Sequence, residues 1–331
     1  MSMAVYWLIS VGNLSKKRRH YVITKNMKKY TFFLLMFLAL AACAPEGQRV
    51  FGRFVPERKD DFAWENEYAA FRMYGPALAP ENPSNGVDLW LKASPELIVD
   101  TFYYRETELG LPYHINYGKG LDCYKVGHTT GCGGLAIIAE DQLWIAGPYS
   151  RYEILYQDQE RLTFRLEYDS VPVAGHILHE QITITAQAGT PMNKAEVVLS
   201  YVGSDSLPEL QLGGGIFLHD NLDRCGYNDE TRTLTYCEDA LSDKTAAEMN
   251  REYNGSTSQG RSYIAVYVPD TAAKRPMVYD NTVVLVAPYQ IGTTFTYYFG
   301  ACWSRWSDGR HAYETDMDWE QFIAEVAANI K

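Results

Sequence analysis

Apolar and polar residues alternate with period two along most of the chain beyond residue 86, and this restricts the fold more than any other feature. Residues 161–169 show it most plainly, with Leu162, Phe164, Leu166 and Tyr168 on one face and charged or hydroxyl groups between them. Successive side chains of a strand point to opposite faces, so such a segment buries one face and wets the other. The same pattern predicts strands at 87–92, 135–139, 142–146, 177–185, 195–202, 215–219, 231–237, 263–268, 283–286 and 293–299. More than ten short strands with few helices between them point to an all-β chain, a large antiparallel β-sandwich.

Two helices are expected. Residues 240–250 form one inside a polar insertion. A short C-terminal helix over 319–330 puts Trp319, Phe322, Ile323, Val326 and Ile330 on one face, with Asp318 as its cap. Residues 58–74 stay open, because Phe62 and Trp64 alternate as in a strand while Tyr68 and Phe71 fit either period.

The N-terminus has the composition of an address. Met27-Lys28-Lys29 precedes an apolar run that ends in Leu40-Ala41-Ala42-Cys43. Its length suits a secretory signal, whereas a membrane span needs about 20 apolar residues. Leu-Ala-Ala-Cys resembles a bacterial lipobox, which implies lipidation of Cys43. The expected organisation is a signal segment at 1–42 with its working start at Met27, a lipidated tether at 43–50 and a single β-sandwich domain at 51–331. An exported lipoprotein follows, periplasmic or outer-membrane-anchored, soluble in body and held to the membrane by lipid alone.

Charge narrows the partners. The chain carries 30 basic and 41 acidic residues, and residues 1–42 hold seven of the basic ones and no acid, so the exported part has 23 against 41, or −18. A surface that acidic repels phosphates and excludes nucleic acid as a partner. Beyond Cys43, the cysteines Cys123, Cys132, Cys225, Cys237 and Cys302 have no metal-ligand spacing, so no metal is expected. Two disulfides, Cys225 with Cys237 and Cys123 with Cys132, compete with five free buried thiols. No phosphate loop, dinucleotide fingerprint, Gly-x-Ser-x-Gly elbow or His-Glu-x-x-His occurs, and no cofactor is expected.

Chemistry-bearing side chains concentrate at 58–72, 113–128 and 219–224. Residues 112–134 read as a long loop that displays Tyr113, His114, Tyr117, Lys119, Asp122, Tyr124, Lys125 and His128 among six glycines. His114 is the first candidate for an acid/base group, since imidazole titrates near neutral pH, with Tyr113 beside it. Asp122 and Glu65 are candidate partner acids or bases, and His219, at the end of an apolar strand, is a second imidazole. Arg58, Arg72 and Lys125 are candidates to hold an anion. Asp61, Tyr124 and Trp64 complete the candidate binding set, Trp64 as a ring on which a sugar could stack.

Two blocks also resemble a known family. They are Arg58-x-Asp60-Asp61-Phe62-Ala63-Trp64-Glu65-Asn66 with Phe71-Arg72-x-Tyr74-Gly75-Pro76-Ala77-Leu78, and Tyr113-His114 with Gly118-x-Gly120-Leu121-Asp122-x-Tyr124-Lys125-Val126-Gly127. Together they are similar to the family filed as domain of unknown function 4861, over nearly the whole exported chain. The resemblance implies a galactose-mutarotase-like supersandwich and a role in carbohydrate use, on pectin-type glycans that contain uronic acid. Lys119, Cys123 and Glu67 depart from its pattern, which has an acid, an aromatic residue and Asp there. The expected substrate is an oligosaccharide bearing uronic acid, and the expected chemistry that of a glycoside hydrolase or polysaccharide lyase. A mutarotase-like epimerase and a non-catalytic glycan-binding lipoprotein with platforms at Trp64, Trp90, Trp144 and Trp303 are the alternatives.

Overall fold

In a computed structural model of the chain, the described residues are 47–81, 86–219, 224–241, 243–256, 258–270, 272–273 and 275–330. The signal segment and Cys43 lie outside them. The first strand is β1 (Phe51–Val55), followed by β2 (Asp61–Glu65), β3 (Ala69–Met73), β4 (Asp88–Lys92) and β5 (Gly120–Asp122). Next come β6 (Cys132–Ala139), β7 (Gln142–Trp144), β8 (Arg151–Gln157), β9 (Arg161–Val173), β10 (His176–Gln187), β11 (Met192–Ser200) and β12 (Leu210–Phe217). The last are β13 (Cys225–Asn228), β14 (Thr233–Asp239), β15 (Arg261–Tyr267), β16 (Met277–Tyr279), β17 (Thr282–Tyr289) and β18 (Phe295–Trp303).

Every named strand pair is antiparallel. The strands form a five-stranded meander ordered β1-β2-β3-β4-β5, an eight-stranded sheet β13-β14-β15-β18-β11-β10-β9-β8, and a second five-stranded sheet β16-β17-β12-β6-β7. A parallel bridge between Val87 and Gly131 joins the two five-stranded sheets edge to edge. Phe299 on β18 touches both, with ring contacts to Trp64 and Phe71 and with its Cβ where a side chain on Gly133 would stand. The five-stranded sheets therefore cover one face of the eight-stranded sheet, and the apolar halves of all three fill the space between.

Three helices are described: α1 (Val99–Leu109), α2 (Lys244–Asn254) and α3 (Asp316–Asn329). The C-terminal helix lies on the outer face of the eight-stranded sheet, where Trp319 stacks on Tyr263 and donates from Nε1 to the Ile264 carbonyl at 3.2 Å. Its cap is Thr315 rather than Asp318; Asp318 instead closes a capping box from the third helical position. Likewise α2 begins four residues later than the pattern suggests, because Asp243 caps it by accepting from the Ala246 amide at 2.7 Å.

Two points left open are decided, the form of residues 58–74 and the state of the cysteines, and three expectations are corrected. Residues 58–74 resolve as β2 and β3, and the stretch 112–134 is no free loop, since β5 and the start of β6 lie inside it. All five described cysteines are free thiols, four of them buried. Residues 48–50, expected as tether, are docked: Arg49 pairs with Glu67 at 2.7 Å and Val50 is fully buried. Finally α1 was not expected at all. It shields the outer face of β2, β3 and β4 through Val99, Phe102 and Tyr103, packed on Ala63, Ala70 and Trp90.

Candidate functional site: a carboxylate and arginine cluster under the first helix

Alternation along the meander decides which side chains meet. Phe62, Trp64, Phe71, Leu89, Leu91 and Leu121 point into the sandwich, so Asp61, Glu65, Arg72, Asp88, Lys92 and Asp122 are left to the opposite face. On most sheets that face would be wet. Here α1 and the 112–117 segment cover it, and these charges are buried.

Register then sorts them into two groups. Arg72 lies opposite Asp88, and Asp122 opposite Trp90. The Arg72 guanidinium reaches Asp88 Oδ2 at 2.5 Å and Asp122 Oδ2 at 3.1 Å through Nη2, and Tyr113 Oη at 3.2 Å through Nη1. Its Nε lies 3.9 Å from Asp61 Oδ2, and Arg58 bonds the same oxygen at 3.0 Å. Tyr74, Trp90 and Tyr113 present their rings to the Arg72 cation. Burial opposes the guanidinium's charge, but the surrounding carboxylates hold its pKa well above the ordinary value.

The carboxyls of Asp61 and Asp88 are raised as well, which for them favours the neutral form. Burial raises Asp61, while Arg72 and Arg58 pull it back. Asp88 is pushed up to about 7, first by burial and further by the charge of Asp122, against the pull of Arg72.

His114 sits at the mouth of this cluster. Its ring is 38% exposed, whereas Asp122 beneath it is 3% exposed. Nδ1 is 2.9 Å from the Asp122 carbonyl oxygen, which can only accept, so Nδ1 carries the proton and Nε2 keeps its lone pair. The Asp122 carboxylate is 3.8 Å from the same Nδ1, close enough to stabilise an imidazolium. The set can thus take a proton from a bound molecule and hold the resulting charge.

The second group is structural. Glu65 stands four residues along β2 from Asp61, about 13 Å away at strand rise. It pairs with the fully buried Lys92 at 2.7 Å. It also accepts from the amides of Ile98 and Val99 at 2.8–2.9 Å, and so caps α1 from a distant strand.

Other candidates fall elsewhere. Trp64 is buried in the sandwich and donates to Asn193 at 3.0 Å, so no sugar reaches it; Trp90 and Trp303 are buried as well. Tyr124 is buried, with its hydroxyl spent on the Phe217 carbonyl. Arg72, proposed from sequence to hold a substrate anion, is enclosed by carboxylates of the chain itself. Arg58 and Lys125 are the cations with solvent-facing surface, Arg58 with 24% of its side chain exposed and Lys125 exposed outright. Lys119 pairs with Glu96 on the surface, away from the cluster.

His219 forms a neighbouring group. It meets the Glu238 carboxylate through Nδ1 at 2.9 Å and donates from Nε2 to the Lys125 carbonyl at 2.7 Å. Burial favours its neutral form, but Glu238 outweighs burial and raises its pKa. With both nitrogens occupied, His219 fixes the backbone at Lys125, three residues from Asp122.

Sequence reading missed Asp88, Lys92 and Glu238. Asp88 and Lys92 carried a usable signal, two charges on the same face of β4 as Trp90.

Fold and site together define an antiparallel β-sandwich protein with a buried arginine and carboxylate cluster beneath an exposed histidine. The chain belongs to the family described as "Domain of unknown function (DUF4861)", whose family model matches residues 41–331. It is 27% identical over 288 residues to "Uncharacterized protein P7" of Formosa agariphila, an alignment covering 85% of this chain and 67% of that one. Two solved structures are distant likenesses. "Putative kojibiose phosphorylase from human microbiome" matches with TM-score 0.40 and 9% identity over 86% of this chain and 36% of its own. "GH36 alpha-galactosidase AgaB from Geobacillus stearothermophilus" matches with TM-score 0.34 and 11% identity over 76% of this chain and 41% of its own.

Proposed function

We propose that this is an exported, carbohydrate-active enzyme that acts on oligosaccharides bearing uronic acid, by removing the proton next to the sugar carboxylate. The observation that carries this reading is the state of His114: half-exposed, its Nδ1–H tied to the Asp122 carbonyl, its Nε2 open as a base, and the Asp122 carboxylate 3.8 Å behind it. Arg58 and Lys125 serve as the cations for the uronate, whose developing negative charge needs neutralising as the proton leaves. In an elimination the C–H electron pair becomes the ring double bond, the glycosidic C–O bond breaks and the leaving oxygen takes up a proton.

Elimination is favoured over hydrolysis because a hydrolase needs two carboxyl groups flanking the glycosidic bond. Asp88 is fully buried and cannot flank it. The sugar-platform reading loses Trp64, Trp90 and Trp303, which are enclosed, and keeps the half-buried Trp144, whose Nε1 donates to the Ala139 carbonyl. The lipid anchor at Cys43 and a periplasmic or outer-membrane-anchored location remain part of the proposal, tested by moving the protein to the soluble fraction with Cys43→Ser.

The test of activity is mass spectrometry of uronate oligosaccharides incubated with the parent and with His114→Ala. Elimination yields an unsaturated fragment lighter than the hydrolysis product by one water, and the variant is expected to form it more slowly by about 100-fold or more. A hydrolysis product, or equal rates in the variant, refutes the assignment.

A further inference from the structure

The cluster under α1 does not balance. Asp61, Asp88 and Asp122 are three carboxyl groups, and Arg58 and Arg72 are two guanidiniums. His114 lends its Nδ1–H to a carbonyl and adds no fixed charge. One negative charge in a buried set would stand alone, which costs far more than taking up a proton.

Hydrogen bonding indicates where that proton rests. Asp61 is served by Arg58 on both oxygens and by the Gly75 amide. Asp122 faces Arg72 and the imidazole at the solvent edge. Asp88 is fully buried, and its Oδ2 already takes Arg72 at 2.5 Å and the Trp90 indole N–H at 3.2 Å. Its Oδ1 has no hydrogen-bond partner among the described residues, and the neighbouring Leu89 amide draws on the carboxyl more weakly than burial opposes its charge. An ionised carboxylate needs donors on both oxygens, and a neutral carboxyl leaves one unserved at far lower cost than a charged one.

We propose that Asp88 is a further positioning residue of this site, held as the neutral acid on the acid side of neutrality so that the charge of Arg72 is left to Asp61 and Asp122. An ionised Asp122 then stabilises the imidazolium that forms when His114 accepts a proton, and its carbonyl keeps the ring aimed. Asp88 acts through Arg72 and touches no substrate. Its surroundings agree: Arg72, Arg58 and Asp122 act on it from the cluster, Tyr74 lies alongside, and Cys123, Tyr124 and Cys132 lie within reach of its charge. The burial that moves Asp88 to about 7 is consistent with this assignment.

The protonation half of the proposal is tested without substrate. In protein labelled with carboxyl-13C aspartate, one carbon should titrate with a midpoint near 7 while ordinary aspartates titrate near 4. Aspartate labelling keeps Glu180, also raised by burial, out of the spectrum. The signal should vanish in Asp88→Asn; in Asp61→Asn, which evens the charge count, it should persist with a lower midpoint, and its loss there would place the proton on Asp61 and overturn the proposal. No aspartate titrating above the ordinary range, or a signal that survives Asp88→Asn, overturns the proposal.

The positioning half rests on the function proposed above. Asp88→Ala should lower kcat with KM unchanged, and the neutral isostere Asp88→Asn should recover what Asp88→Ala loses. A failure of the activity reading leaves the titration result standing, and the reverse also holds.

Discussion

Buried ionisable residues here fall into two kinds, those paired and those alone, and pH separates them. Glu180 on β10 is fully enclosed, neither of its oxygens has a hydrogen-bond partner among the described residues, and burial alone pushes it up to about 8. For a carboxyl whose folded pKa is raised, stability is full below the unfolded value near 4 and is lost as pH rises through the folded value. Glu180→Gln should therefore melt like the parent at pH 4 and above it at pH 9; parallel melting curves across that range would contradict the burial argument. Arg72 is the paired kind. Arg72→Ala leaves three buried carboxyls with one cation and should cost about 3–5 kcal/mol at neutral pH, with part of the loss recovered in acid as the carboxyls protonate. Chemical denaturation at pH 5 and pH 8 reads both effects.

Elements were legible where the information was local. The strands β9, β10 and β14 were read from alternation nearly to their ends, and α3 from one apolar stripe. Helix α1 was hidden, because its first residue is preceded by Ile98, which offers no capping side chain. The cap comes instead from Glu65, a contact across 33 residues that no local pattern records. Only Gly110, in the left-handed conformation at the C-terminal end, gave a local sign. Missing α1 had a second effect: with no cover expected on the outer face of β4, Asp88 and Lys92 read as ordinary wet residues. Glu65→Ala should strand Lys92 in a dry site and free the start of α1, costing about 3–5 kcal/mol and speeding amide exchange over residues 99–109 before other segments. Thr315→Ala removes the cap of α3 and should cost only about 1 kcal/mol. Equal losses from the two substitutions would mean that Glu65 is no more than a cap.

At the scale of the whole molecule, the sandwich brings together residues far apart in sequence by placing β2, β3, β4 and β5 side by side. Arg58, Asp61, Arg72, Tyr113 and Asp122 meet there, as residue types alone suggested, whereas Trp64 and Glu65 were drawn elsewhere by a difference of one or a few positions along a strand. His219 joins the same neighbourhood through the Lys125 carbonyl, so β12 and the meander fix a common segment, 122–125, from two sides. On the function proposed above, the acidic body and the locked Arg72 leave the attraction of an anionic sugar to Arg58 and Lys125, a weak field that salt will screen further. The most direct test of this account is a crystal structure of His114→Ala soaked with a uronate oligosaccharide. The account predicts the sugar carboxylate at Arg58 or Lys125, with the ring's acidic C–H facing the space vacated by the imidazole. A sugar bound instead between Lys194 and Tyr298 of the eight-stranded sheet and Phe322, Val326 and Ile330 at the C-terminal end, with nothing over Asp122, would contradict it.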